Sequence, residues 1–226
     1  ESVDDWWFRV GRQAFSEAER RILQLMPTSG ALRVAADGAQ LRAADTVRVN
    51  LVGYPRGEFG LGEDIRLLKR SLETIGVTAD TFRGPGHTVA REQINEQCID
   101  LNRLSGRNDV LFFAMPAFDT MMMYLDTGLK FESARKRIGF WQWELEKFPS
   151  ESHYSLSMVD EIWCHSEHSA KAYRSATDKK VIKVPLPVMV PDVEKCGLSE
   201  FSIGEDCFVF FSSFDGASYI SRKNPL

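Results

Sequence analysis

The chain has 226 residues, 43% of them hydrophobic and 27% charged, the proportions of a soluble globular protein with room for a sizeable core. A net charge of −4 and scattered Lys and Arg argue against nucleic-acid binding, which needs a basic stripe or domain. No apolar run reaches the roughly 18–20 residues of a membrane span, and Cys98, Cys164, Cys196 and Cys207 form no CxxC pair, a pattern of reduced thiols in a cytoplasmic protein.

Residues 3–26 read as an amphipathic helix. Trp7, Val10, Ala14, Ala18, Ile22 and Leu25 recur at three- and four-residue steps, and Pro27 and Gly30 stop it. Residues 31–46 have little periodicity and read as a linker, so 1–46 forms a helix-plus-linker preface. Its Asp4, Asp5, Glu17 and Glu19 favour packing on a domain over lying on a membrane.

From Val47 the pattern alternates strand and helix. VRVNLVGY (47–54) is a β-rich run, and Leu61, Ile65, Leu68, Leu72 and Ile75 make a helical stripe closed by Gly76. VTADTF (77–82) is a second strand, 91–104 a predicted helix, and DVLFFAMPA (109–117) a buried strand. The segment 118–136 is expected to be mostly helical, interrupted at Gly128. Strands follow at 137–144, 161–166 and 179–188, with a helix over SAKAYRSA between the last two. The alternation predicts an α/β domain over 47–190 with a doubly wound, Rossmann-like parallel sheet. Prolines 185, 187 and 191 break it, 191–205 reads as a connection, and DCFVFFSSFD (206–215) starts a new buried strand. The chain starts with Glu and stops at SRKNPL, so 206–226 reads as the opening of an incomplete second domain.

Four stretches could carry chemistry. GEFGLGED (57–64) spaces its glycines as GxxGxG, unlike the dinucleotide fingerprint GxGxxG, and Asp80 lies within a strand rather than at a ribose-binding position; bound NAD is not expected. Gly60 and Gly62 would let a ligand approach a helix N-terminus, where Glu63 and Asp64 also suit the helix dipole on their own account. In GFWQWELEKFP (139–149), Trp141, Trp143 and Glu144 sit at a strand end, where indoles can stack on sugar C–H faces and carboxylates can hold hydroxyls. The tryptophans could equally be core. In IWCHSEHS (162–169), Cys164, His165 and His168 lack the further ligands of a zinc site, and adjacent strand residues face opposite ways, which disfavours a Cys–His nucleophile pair. In SSFDGASYISRKNP (212–225), Arg222 and Lys223 precede a proline and suit a diphosphate, unless they form a solvated basic turn.

The order VNLVGYPRGEFGLGED, GFWQWELEKFP, VDEIWCHSEHSAKAY, VIKVPLPV, FVFFSSFDGASYISRKNP resembles the N-terminal half of a GT-B glycosyltransferase of the retaining family 4 type, over residues 47–226. The resemblance implies two Rossmann-like domains facing each other and transfer of a sugar from a nucleotide-sugar donor to a glycan or lipid-linked acceptor. It implies no cofactor and no obligatory metal, agreeing with the absence of a DxD pair. It places Gly60, Gly62, Arg222 and Lys223 at the donor diphosphate. Glu63 and Glu144 become the candidate catalytic groups, and Trp141 and Trp143 the candidate acceptor or sugar contacts. WQWELE stands where many members carry a histidine, which leaves that role to Trp143 and Glu144. Many members build bacterial surface polysaccharides, implying a cytoplasmic location, including the inner face of the membrane. The family's two glutamates seven residues apart do not occur in the expected downstream place, so this chain alone is expected to be inactive. The rivals are a non-catalytic α/β sugar- or nucleotide-binding module, and an interaction module using Trp6, Trp7 and the N-terminal helix.

Overall fold

A computed structural model describes residues 48–84, 91–104, 109–128, 131, 134–189, 194, 196–204 and 206–212. The helix expected at 3–26, the linker 31–46 and the basic pair Arg222 and Lys223 lie outside them. The chain divides into two units, Glu1–Met189 and Val190–Leu226.

In the first unit, seven strands form one all-parallel sheet: β1 Val49–Gly53, β2 Ala79–Arg83, β3 Ile99–Asp100, β4 Val110–Ala114, β5 Lys136–Phe140, β6 Glu161–Cys164 and β7 Lys180–Lys183. Their order is β3-β2-β1-β4-β5-β6-β7. Among the described residues the helices are α1 Gly60–Thr74, α2 Ala117–Thr127, α3 His153–Leu156 and α4 Glu167–Arg174. Every residue of β1 and β4 is buried, because these central strands carry apolar side chains on both faces. Alternation divides them: Leu51, Phe112, Ile138 and Trp163 join the cluster containing Ile65, Leu68 and Leu72 of α1. Val52, Phe113 and Ile162 join the opposite cluster with Met123 of α2, Leu156 of α3 and Tyr173 of α4. Helices on both faces of a parallel sheet in this order make a Rossmann-like, doubly wound fold. The chain runs from β1 one way across the sheet and from β4 the other. The crevice beyond Gly53 and Ala114 is therefore the topological switch point, the place such sheets bind ligands.

At the opposite end, Asn50 Nδ2 donates to Asp109 Oδ2 at 2.7 Å and Arg48 Nε to Asp109 Oδ1 at 3.3 Å. These bonds satisfy a buried carboxylate and tie β1 to the start of β4.

Three expectations need correction. Residues 91–98 are not helical, and the segment ends in β3 and a short 3₁₀ turn over Leu101–Arg103. Tertiary partners hold it extended: Glu96 pairs with Lys69 at 2.7 Å, Glu92 with Arg83 at 2.5 Å, and Thr81 Oγ1 donates to the Gln97 carbonyl at 2.8 Å. The strand expected to reach residue 144 stops at Phe140. In the second unit, 206–212 pair with no strand among the described residues, and Phe208, Phe210 and Phe211 are 85–90% exposed. A strand exists only through a neighbour, so an apolar run alone does not make one.

Candidate functional site

After β1 the chain turns through Tyr54–Phe59 into α1. Tyr54 is buried, and its hydroxyl donates to Asp119 Oδ2 of α2 at 2.7 Å, while its ring lies 5.5 Å from that of Phe59. Burial and the Asp119 bond push the phenol well above its ordinary range, so it acts as a fixed donor. Gly57 N–H closes the turn onto the Tyr54 carbonyl at 2.9 Å.

Phe59 caps α1 without a side-chain hydrogen bond. Gly62 and Glu63 N–H both donate to the Phe59 carbonyl, at 2.9 and 3.1 Å. The N–H groups of Gly60 and Leu61 find no acceptor among the described residues, so the positive end of the helix dipole is left open here.

Two glycines in this turn do different work. A Cβ on Gly62 would stand 2.2 Å from the Gly57 carbonyl oxygen, whereas one on Gly60 meets nothing within 4 Å. Gly62 is needed to fold the loop, and Gly60 leaves open space before the free amides. Gly62→Ala is therefore expected to destabilise by about 1–3 kcal/mol through overpacking. Gly60→Ala should stay within about 1 kcal/mol. Denaturant unfolding of the two variants checks the contrast.

The carboxylates are less exposed as charge than the sequence suggests. Glu63, half exposed, pairs with Arg66, whose Nη2 and Nε lie 2.8 and 2.9 Å from Glu63 Oε2. Arg66 is itself buried, and its Nη1 donates to the carbonyls of Pro55 at 2.8 Å and Gly57 at 3.0 Å. One guanidinium thus neutralises Glu63 and holds the glycine loop. Asp64 is buried at 8% exposure, and desolvation, reinforced by the charge of Glu63, pushes its carboxyl up to about 7. Near neutral pH it is close to half protonated.

The end of β5 lies two strands away from β1 along the same edge, about 10 Å at ordinary strand spacing. Trp141 is fully buried; its Nε1 donates to Thr120 Oγ1 at 3.1 Å and its ring lies 6.0 Å from Tyr173. It belongs to the core and offers no face to a sugar, which corrects its assignment as an acceptor contact. Trp143 is half-buried, edge-on to Phe148 at 5.3 Å, with Nε1 donating to the Lys147 carbonyl at 3.0 Å. Glu144 is exposed, and its carbonyl lies 3.0 Å from His168 Nε2. Ser169 Oγ donates to the Trp143 carbonyl at 2.7 Å, so α4 fixes the loop that presents Glu144.

At the end of β6, Cys164 is buried with α2 and α4, and burial pushes its thiol up to about 12, which makes it a poor nucleophile. His165 packs against Phe140 at 4.9 Å on the other side of the sheet. Among the described residues no group of His, Cys, Asp and Glu could hold a metal ion, and no helix is long and apolar enough to cross a membrane.

The structure brings Gly60, Gly62 and Glu63 together after β1 and sets Trp143 and Glu144 past the end of β5, two strands along the same edge. Arg66 was not among the sequence candidates. Its signal is its position three residues after Glu63, the spacing of a helical ion pair. Comparison of the chain with protein-family models, with curated proteins and with solved structures returns no match.

Proposed function

We propose that this chain is the acceptor-side part of a GT-B type glycosyltransferase, acting on a nucleotide-sugar donor. The observation that carries this reading is the turn after β1: an uncapped helix N-terminus, opened by Gly60, at the topological switch point. The order of sequence motifs over residues 47–226 supports it independently.

In such a transfer the bond between the anomeric carbon and the diphosphate oxygen breaks, and a bond from the acceptor hydroxyl forms. Negative charge gathers on the departing diphosphate. The Gly60 and Leu61 amides are suited to receive it, because preorganised donors lose nothing to reorientation as charge develops. Arg66 removes the repulsion Glu63 would otherwise exert, and a protonated Asp64 adds none. Glu144, exposed beyond β5 with Trp143 beside it, would orient an acceptor hydroxyl. Arg222 and Lys223 would supply the balancing cations.

The test is release of nucleoside diphosphate from a panel of nucleotide sugars by the intact protein. Replacing Arg222 and Lys223 with Ala should weaken donor affinity by roughly 10–100-fold, the scale of losing charge-assisted bonds. Unchanged affinity would remove that pair from the donor site.

A further inference from the structure

Two polar nitrogens at the crevice have no role in the transfer just described. Gln142 Nε2 and His165 Nε2 are both sealed from solvent, and neither has a hydrogen-bond partner among the described residues. Buried polar groups are nearly always paired, so two orphans at one sheet edge call for an explanation. They are neighbours by register. Phe140 pairs with Trp163, and Trp141 N–H continues the ladder to the Trp163 carbonyl at 2.9 Å; the same register carried two residues past β5 sets Gln142 opposite His165. Trp141 and Cys164 belong to the cluster with α2 and α4, so alternation sets Gln142 and His165 on the α1 side, where His165 packs on Phe140.

The other orphaned groups differ in place. Trp163 Nε1 and Tyr173 Oη belong to side chains no more than 1% exposed, enclosed by Phe112 in one case and by Trp141 and Phe148 in the other. Gln142 and His165 are only partly buried and stand just past the ends of β5 and β6.

We propose that Gln142 and His165 form a subsite for a neutral, hydroxyl-bearing sugar unit. An amide N–H₂ donates, and an imidazole nitrogen donates or accepts according to tautomer, which matches a hydroxyl that does both. Neither group supplies a cation, so the pair suits hydroxyl rather than phosphate oxygens. Burial pushes the His165 imidazole down to about 3, which keeps it neutral throughout the physiological range. Calling this sugar the acceptor rests on the transferase reading; the recognition chemistry does not.

The test uses the 226-residue chain and three probes: methyl α-D-glucopyranoside, methyl α-D-galactopyranoside and methyl N-acetyl-β-D-glucosaminide. Each is added to about 100 mM, enough to saturate even a site of ~10 mM Kd. The readout is the Cε1–Hε1 resonance of His165, assigned by its loss in His165→Phe. A saturable shift with at least one glycoside, abolished in Gln142→Leu, is the expected result. Both variants should also raise the thermal midpoint, because each removes an unpaired buried nitrogen. No shift with any probe overturns the proposal, as does a shift that survives Gln142→Leu. A lowered midpoint in both variants also overturns it, since the nitrogens would then be held by structural water. A His165 response together with no nucleoside diphosphate release by the intact protein would keep the subsite and remove the transferase reading; release with a silent His165 would do the reverse.

Discussion

Arg66→Ala is expected to lower unfolding stability by about 2–4 kcal/mol and to open the turn that follows β1, because it leaves two backbone carbonyls and one carboxylate without their donor. The guanidinium makes four contacts, to Pro55, Gly57 and twice to Glu63, while almost wholly buried. Arg66→Met retains most of the packing of the aliphatic stem, so the difference between Met and Ala isolates that contribution. Arg66→Lys should recover little, since an ammonium cannot serve two carbonyls and a carboxylate with the geometry of the planar fork. Urea unfolding measures these losses. A functional loss should accompany them: with Arg66 gone, Glu63 faces the open helix N-terminus as an unbalanced charge, and anion binding should weaken even where the variant is folded. Glu63→Gln in the Arg66→Ala background should restore part of that binding without restoring stability.

The second large effect is the pH dependence set by Asp64. Its carboxyl stands near 7 in the folded chain against an ordinary 3.8, so folding favours the protonated form. The sign follows directly. Below about pH 4 both states are protonated and the contribution is fully present; it declines as pH rises toward 7, and above that the buried carboxylate is a net cost. Asp64→Asn removes the titration while keeping the shape. Variant and parent should therefore have similar stability near pH 4 and diverge as pH rises, the variant being more stable by about 2–4 kcal/mol at pH 8. Chemical denaturation at a series of pH values measures the divergence. Parallel curves would mean that Asp64 titrates as an ordinary surface acid. In the parent, anion binding at the Gly60 and Leu61 amides should also weaken as pH passes 7, and this dependence should flatten in Asp64→Asn.

Much of this fold is legible in the residues, for physical reasons that also define where legibility ends. VNLVG, apolar but for Asn50, and VLFFA show no alternation, which marks strands buried on both faces, and both are central in the sheet. The stripe from Leu61 to Leu72 gives α1, and Gly76, at φ 77°, follows its end as expected. Residues 91–98 misled because their helical composition is local, whereas the partners that hold them extended, Lys69, Arg83 and Thr81, are distant in sequence. Trp141 misled for a related reason: period-two alternation tells which face a residue takes, not whether that face is covered. Thr120 and Tyr173, from two other helices, cover it. In GEFGLGED the glycines and acids could be read, but their electrostatic state could not. That state depends on Arg66 reaching back to Pro55 and Gly57 and on the depth of Asp64.

The loop is thus much less anionic than its three carboxylates suggest. One is paired to a buried Arg and one is largely desolvated, while Glu58 is exposed. The most direct measurement of the resulting claim follows backbone amide resonances of the chain on addition of inorganic pyrophosphate, UDP-glucose and GDP-mannose. The account predicts saturable shifts at Gly60 and Leu61, reduced in Gly60→Asp and weaker above pH 7. Shifts confined to other parts of the chain, or none at Gly60 and Leu61 with any of the three, would contradict it.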